Sequence, residues 1–254
     1  MPADPDVTIA IVTYNATEYA RRCLESLRQT RRPHEVIVVD NASCADTRDY
    51  LKGVAGITLI LNDENRLWCP ALNQAFRSAH PGSRYFMMLN PDIEIRRGDW
   101  LDRLASILES HPRIGITGTQ HNYRPLGPVF GAIDGHCFMF RRTLYEDPAI
   151  GPLDEQYPWN GSPYVFTARA WARGWRYRLH PPAPALLIHH EGRSRAEAER
   201  PMPNRKIDAL GILRDAGLDP WRESRLATPF RRAAIRWGIL PRPPAGDGRT
   251  GRGR

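Results

Sequence analysis

The chain has 254 residues, with 36 Lys+Arg against 28 Asp+Glu and a net charge of +8. Residues 193–254 hold 15 basic and 7 acidic residues, the whole of that surplus, so residues 1–192 carry 21 of each sign. A neutral body excludes a broad polyanion-binding face there, no apolar run is long enough to span a membrane, and four cysteines without a Cys-x-x-Cys pair point to neither a zinc site nor a disulfide framework.

Val7-Thr-Ile-Ala-Ile-Val-Thr13 is a β-branched run that breaks at Tyr14-Asn15, the pattern of a buried strand entering a loop. Thr17 is placed to cap a helix over 18–29, where Tyr19, Ala20, Cys23, Leu24 and Leu27 recur at helical spacing and Pro33 lies beyond the end. Glu35-Val-Ile-Val-Val-Asp40 reads as a second buried strand, Ile57–Leu61 as a third, residues 70–79 as a helix, and Tyr85–Leu89 as a fourth strand stopped by Asn90-Pro-Asp92. Trp100–Ser110 reads as a helix, Ile114–Thr117 as a strand, and Val129–Arg141 contains strand-like stretches around Gly135. Ser162-Pro163 fits an N-cap followed by proline at the first helical position, opening a helix over Tyr164–Arg173 that Gly174 stops. Residues 176–188 are extended and lead to His189-His190, residues 204–216 suit a helix, and the Pro/Gly/Arg-rich stretch beyond 239 suits a disordered end.

Continuous apolar strands alternating with helices predict an α/β fold, a mostly parallel central sheet covered by helices on both faces. Ligands of such sheets sit at the carboxyl ends of the strands. Three polar clusters follow strand ends here: Thr13-Tyr14-Asn15, Asp40-Asn41-Ala42-Ser43 and Asn90-Pro91-Asp92. Any one of them is ordinary turn composition; three on one sheet edge predict a shared crevice.

Five stretches carry a family resemblance, in order over residues 7–195. They are Val12-Thr-Tyr-Asn15 with Cys23-Leu-x-Ser-Leu27; Val38-Val-Asp-Asn-x-Ser43; the Asn-rich loop and helix of Asn62–Asn73; Leu89-Asn-Pro-Asp92; and Leu153-Asp-Glu155 followed by Arg173-Gly-Trp175 and His189-His190. Together they resemble a family-2 glycosyltransferase of the GT-A (Rossmann-like) fold, in the rhamnosyltransferase-like branch. The resemblance implies a catalytic domain over 1–200, with a nucleotide-sugar half at about 1–95 and an acceptor half at about 96–200, followed by a helical and basic extension over 201–254.

It further implies transfer with inversion from a UDP-, dTDP- or GDP-sugar, assisted by Mg²⁺ or Mn²⁺. Thr13, Tyr14, Asn15, Asp40, Asn41, Asn65, Asn73 and Asn90 would hold the donor nucleotide. Asp92 would be the metal carboxylate, with Asn90 at the usual first Asp of the motif, and His189 would complete the metal site in preference to His190. Trp159 and Tyr164 offer stacking faces for an acceptor, or are core aromatics. The acceptor would be a glycan, a lipid-linked glycan or a small natural product, and no nucleic acid is expected as a partner.

One departure stands out. The family's Glu-Asp pair, whose Asp acts as general base, falls on Ser162-Pro163 when counted back from Gly174-Trp175, and neither residue can accept a proton at neutral pH. Asp154, Glu155, Asp134 and His136 are the alternative bases; a relative that binds a nucleotide-sugar without the usual turnover is the other reading. Residues 228–240, Thr-Pro-Phe-Arg-Arg-Ala-Ala-Ile-Arg-Trp-Gly-Ile-Leu, mix apolar and basic residues as in a membrane-surface helix. The amino terminus lacks the basic and apolar regions of a secretion signal, so the expected location is cytoplasmic, with contact at an anionic membrane surface through this segment.

Overall fold

The computed structural model describes residues 4–122, 132–159, 161–182, 185–190 and 214–215. Arg214 and Asp215 are helical; the rest of the helix expected over 204–216, the basic segment 228–240, the expected disordered end and residues 129–131 lie outside the described residues.

The first half alternates as its hydrophobic runs require: β1 (Val7–Thr13), α1 (Thr17–Leu27), β2 (His34–Asn41), α2 (Ala45–Lys52), β3 (Thr58–Asn62), α3 (Trp68–Arg77) and β4 (Tyr85–Leu89). There follow β5 (Ile93–Ile95), α4 (Trp100–Glu109), β6 (Ile114–Gly118), β7 (His121–Asn122), β8 (Ala132–Ile133), β9 (Cys137–Arg141), α5 (Arg142–Glu146), α6 (Ser162–Ala172), β10 (Arg176–Leu179) and β11 (Leu187–His189). Seven strands form the central sheet in the order β10-β6-β9-β4-β1-β2-β3. All run parallel except β9, which lies antiparallel between β4 and β6. Two small antiparallel pairs, β5 with β11 and β7 with β8, flank it.

Side chains alternate across a strand, and β1 shows the consequence. Val7, Ile9 and Ile11 enter a core with Cys23, Leu24 and Leu27 of α1, Leu51 of α2, and Trp100, Leu101 and Leu104 of α4. Ala10 and Val12 enter a second core with Cys69, Leu72 and Phe76 of α3, Leu144 of α5 and Phe166 of α6. Helices thus cover both faces, which is why the strands read as unbroken apolar runs. Each fully buried leucine or isoleucine contributes about 1.5–3 kcal/mol to this arrangement. The second core is rich in aromatics: Phe76 stacks on Phe86 at 4.6 Å, and the Phe140 ring meets Phe76 edge-on at 5.6 Å.

Two helix starts differ from expectation. α1 begins at Thr17 itself after Ala16, and the Thr17 hydroxyl instead meets Thr47 Oγ1 at 2.6 Å, tying α1 to α2. Ser162 is the first residue of α6, with Gly161 before it, and is fully buried. Helix α2 and the short β5 and α5 have too few apolar residues at a clear period to be read from sequence.

The antiparallel β9 shapes the site. The carboxyl ends of β1, β2, β4, β6 and β10 share one edge of the sheet with the amino end of β9, so the loop 134–136 arrives among them.

Candidate active site

Loops after β1 and β2 are knitted together first. The Asn15 backbone N–H donates to Ser43 Oγ at 2.9 Å, and Asn15 Oδ1 accepts from the Cys44 N–H at 2.7 Å. Asp40 Oδ2 accepts from the Ser43 N–H at 3.1 Å and pairs with Arg48 Nε at 3.2 Å. Thr13 and Asp40 are partners in the β1–β2 register. Both are buried, and each keeps one side-chain oxygen, Thr13 Oγ1 and Asp40 Oδ1, without a hydrogen-bond partner. Tyr14 stands half-buried beside them.

The Asn-rich loop acts as a brace. Asn41 Nδ2 donates to the Leu67 carbonyl at 3.0 Å, Asn41 Oδ1 accepts from Asn62 Nδ2 at 3.0 Å, and Asn65 Oδ1 accepts from the Leu67 N–H at 2.9 Å. Leu67 has φ +69°, and Asn15 and Ala42 also have positive φ, at +52° and +63°. These are the described non-glycine residues in left-handed backbone, and all lie in the loops at this edge. Such conformations cost of order 1–3 kcal/mol each and persist where surrounding bonds over-determine them, as the pair of bonds bracketing Leu67 does.

Asn73 of α3 is bonded to protein partners. Its Nδ2 donates to the Leu153 carbonyl and to Glu155 Oε1, both at 2.9 Å, while Oδ1 accepts from the Leu153 N–H at 3.1 Å and the Tyr145 hydroxyl at 3.1 Å. Every polar atom of this fully buried amide serves to hold the loop 153–155. Asp154 is likewise committed, pairing with Arg169 at 2.7 Å and accepting from the Gln156 N–H at 3.0 Å.

The third cluster surrounds Asp92, between β4 and β5. Its carboxylate is fully buried and neither oxygen has a hydrogen-bond partner. β11 pairs with β5 and brings His189 Nε2 to 3.7 Å from Asp92 Oδ2. His190 turns elsewhere, its Nε2 3.5 Å from Glu94 and its ring 5.9 Å from Tyr19. Cys23 donates its thiol to the Asn90 carbonyl, and burial pushes its pKa well up, with the Asp92 charge adding to that.

Next to His189 lies the loop before β9. The His136 ring stacks on the His189 ring at 4.2 Å, tilted by 13°. His136 Nδ1 lies 2.8 Å from Asp134 Oδ1, and the His136 backbone N–H donates to the same oxygen at 3.1 Å. A carboxylate oxygen only accepts, so Nδ1 carries the proton and Nε2 faces Thr119 Oγ1 at 3.3 Å. Asn90, Asp134, His136 and His189 line a cavity of about 640 Å³. Thr119, Gln120, His180 and Leu186 line it as well, none of them singled out from sequence. Thr119 and His180 follow the carboxyl ends of β6 and β10, so the strand-end rule applied to the second half of the chain would have found them.

Tyr164 is buried and Trp159 partly so; burial, and then the Asp134 charge, raises the Tyr164 pKa. The Trp159 indole N–H is buried without a partner.

Among the described residues no group of three or more His, Cys, Asp or Glu could hold a metal ion. Asp92 and His189 nonetheless suit Mg²⁺ or Mn²⁺, which take few protein ligands and complete their shells with phosphate oxygens and water. An ionised carboxylate buried without donors is otherwise costly by several kcal/mol, so Asp92 fits a cation.

A neutral, mostly parallel sheet with helices on both faces and unpartnered polar atoms along its carboxyl edge is the GT-A, Rossmann-like fold. Residues 8–131, just under half of the chain, match the family model described as glycosyl transferase family 2. Solved structures extend the likeness of fold. A mannosyltransferase from Pyrobaculum calidifontis, in complex with GDP-Man and Mn²⁺, is 20% identical with a TM-score of 0.58, over 95% of this chain and 77% of that one. S. aureus TarS, residues 1–349, is 15% identical with a TM-score of 0.63, over 91% of this chain and 72% of that one. The same TarS segment in complex with UDP-GlcNAc gives 16% and 0.62, over 91% and 73%. A search of curated proteins found no match. Among the described residues no helix is long and apolar enough to cross a membrane.

Proposed function

We propose that this chain is a glycosyltransferase that moves a sugar from a nucleoside-diphosphate sugar to an acceptor hydroxyl with inversion, in a divalent-metal-dependent reaction. The observation that carries the reading is Asp92, a buried carboxylate lacking hydrogen-bond donors and facing His189 at the sheet edge. Asp40 Oδ1 and Thr13 Oγ1 would meet the N–H and carbonyl groups of the nucleobase, with Tyr14 against its face. Asp92 and His189 would hold Mg²⁺ or Mn²⁺, whose chemistry is to neutralise the charge that develops on the leaving diphosphate. The cavity beside His189 is where the donor sugar and the acceptor would meet.

The GDP-Man and Mn²⁺ of the mannosyltransferase and the UDP-GlcNAc of TarS support a donor of this class. The acceptor is proposed to be a glycan, a lipid-linked glycan or a small natural product, met at the cytoplasmic side and drawn to an anionic membrane by the basic extension. The test is calorimetric binding of GDP, UDP and dTDP with and without Mn²⁺ to the unaltered chain and to Asp92→Ala. Binding that needs Mn²⁺ and is lost in Asp92→Ala is expected; equal affinity in both chains would remove the metal assignment.

The buried Ser162 and Pro163 at the family's base position favour a second reading, a chain that binds a nucleotide-sugar without turning it over. Binding without release of nucleotide from any UDP-, dTDP- or GDP-sugar would establish it.

A further inference from the structure

Resting on the metal-dependent reading above, we infer that His136 is a positioning residue, whose ring holds His189 in the orientation that lets it take a divalent cation together with Asp92. His189 ends β11, a strand of three residues that pairs with β5 in a two-stranded sheet. That pairing sets where its backbone lies. An imidazole still turns broadly about its outer torsion, whereas a metal ligand needs one nitrogen lone pair aimed at the ion, so a flat partner against the ring is what fixes its plane. The His136 ring is such a partner, with centroids 4.2 Å apart and the two planes 13° from parallel.

His136 is itself firmly held. It is 2% exposed, and both ring nitrogens are engaged: Nδ1–H donates to Asp134 Oδ1 at 2.8 Å, and Nε2 accepts from the Thr119 hydroxyl at 3.3 Å. With both nitrogens committed to protein partners, the face of the ring is what it offers to His189. The main chain adds two anchors. The His136 N–H donates to the same Asp134 oxygen at 3.1 Å, and the His136 carbonyl accepts from the Asn90 N–H at 2.9 Å. Asn90 stands two residues before Asp92. One residue therefore ties the segment bearing Asp92 through its backbone and the His189 ring through its side chain.

Charge favours the same arrangement. Donation of Nδ1–H to a carboxylate makes the His136 ring more electron-rich, as it does for the metal-bound histidines whose basicity such partners raise. An imidazole that gives a lone pair to a cation becomes electron-poor, and the face of an electron-rich ring attracts it as aromatic faces attract cations. Groups that orient a metal-binding histidine are worth 10–100-fold in metal affinity. Here the orienting contact is a stacked ring.

The test titrates Mn²⁺ at fixed UDP, GDP or dTDP and reads the Mn²⁺ concentration at half-maximal nucleotide binding. It compares the unaltered chain, Asp92→Ala, His136→Ala, His189→Ala and the double variant. His136→Ala removes the ring and leaves both main-chain anchors. It is expected to raise the Mn²⁺ midpoint about 10–100-fold, and to add no more than about twofold in the His189→Ala background, because a residue that acts through His189 has nothing left to orient there. His136→Phe keeps a flat ring and should stay within about threefold of the unaltered chain, which serves as the readout if the alanine variant does not fold. An unmoved midpoint in His136→Ala overturns the inference, as does an equal loss in both backgrounds or a tenfold rise in His136→Phe, and each leaves the metal reading intact. No Mn²⁺-dependent binding by the unaltered chain, or a midpoint indifferent to Asp92→Ala, overturns the metal reading and this inference with it.

Discussion

Asn73 separates two roles that its position in an Asn-rich motif would allow, a donor contact and a strut. Asn73→Ala removes four hydrogen bonds and leaves the Leu153 N–H and the Leu153 carbonyl without their partner, while the Tyr145 hydroxyl keeps the backbone carbonyl of residue 73 at 3.4 Å. Leu153 is 1% exposed, so water cannot readily replace the amide at its backbone. An unsatisfied buried group costs about 1–3 kcal/mol, and the relaxed total comes to about 3–5 kcal/mol, a large share of the ~5–15 kcal/mol that a domain has. At about 2–4 °C per kcal/mol for a chain of this size, thermal unfolding followed by circular dichroism should move down by ~10 °C. Nucleotide affinity measured well below that transition should stay within about threefold, because the amide faces the loop 153–155. A melting temperature unmoved by the substitution, together with a tenfold or greater loss of nucleotide affinity, would refute the strut and restore the donor contact.

Thiol chemistry gives a second check. Cys23, Cys69 and Cys137 are buried, and burial pushes Cys69 and Cys137 up to about 12, whereas Cys44 is exposed and held below its ordinary value by the Thr47 hydroxyl. A disulfide reagent at pH 7.5 should titrate one thiol per folded chain and four after denaturation, and none in folded Cys44→Ser; more than one in the native chain would contradict the packing. Acid stability gives a third. Burial alone would raise the Asp6 pKa, but hydrogen bonds from Arg84 and Arg32 outweigh it and the net shift is downward. The folded state then binds its proton less readily than the unfolded chain, so this stabilisation is present above pH 3.8 and is lost as pH falls below it. Asp6→Asn should flatten the fall in urea-unfolding stability below pH 3.8, and an unchanged slope would exclude the pair as its source.

What could be read along the chain was what depends on near neighbours. The apolar runs at Val7–Thr13 and Tyr85–Leu89 are strands with those bounds, because a strand buried on both faces is nearly all apolar, and the one exception short of the edge, Thr8, is satisfied by Glu35 and Ser83. For the same reason the polar residues after β1, β2 and β4 mark that edge.

What the side chains do there was decided by packing between distant segments. Asn73 meets a loop 80 residues away, and no local pattern distinguishes an asparagine that binds a ligand from one that braces a loop. Likewise, His136 comes from the loop that leads into the strand running against the sheet and His189 from an accessory strand paired with β5, and only that topology stacks them. The missing acid at Ser162-Pro163 was visible in the sequence. That the loop before β9 stands close to Pro163 was decided by packing: a Cβ at Gly135 would fall 3.3 Å from Pro163 Cγ.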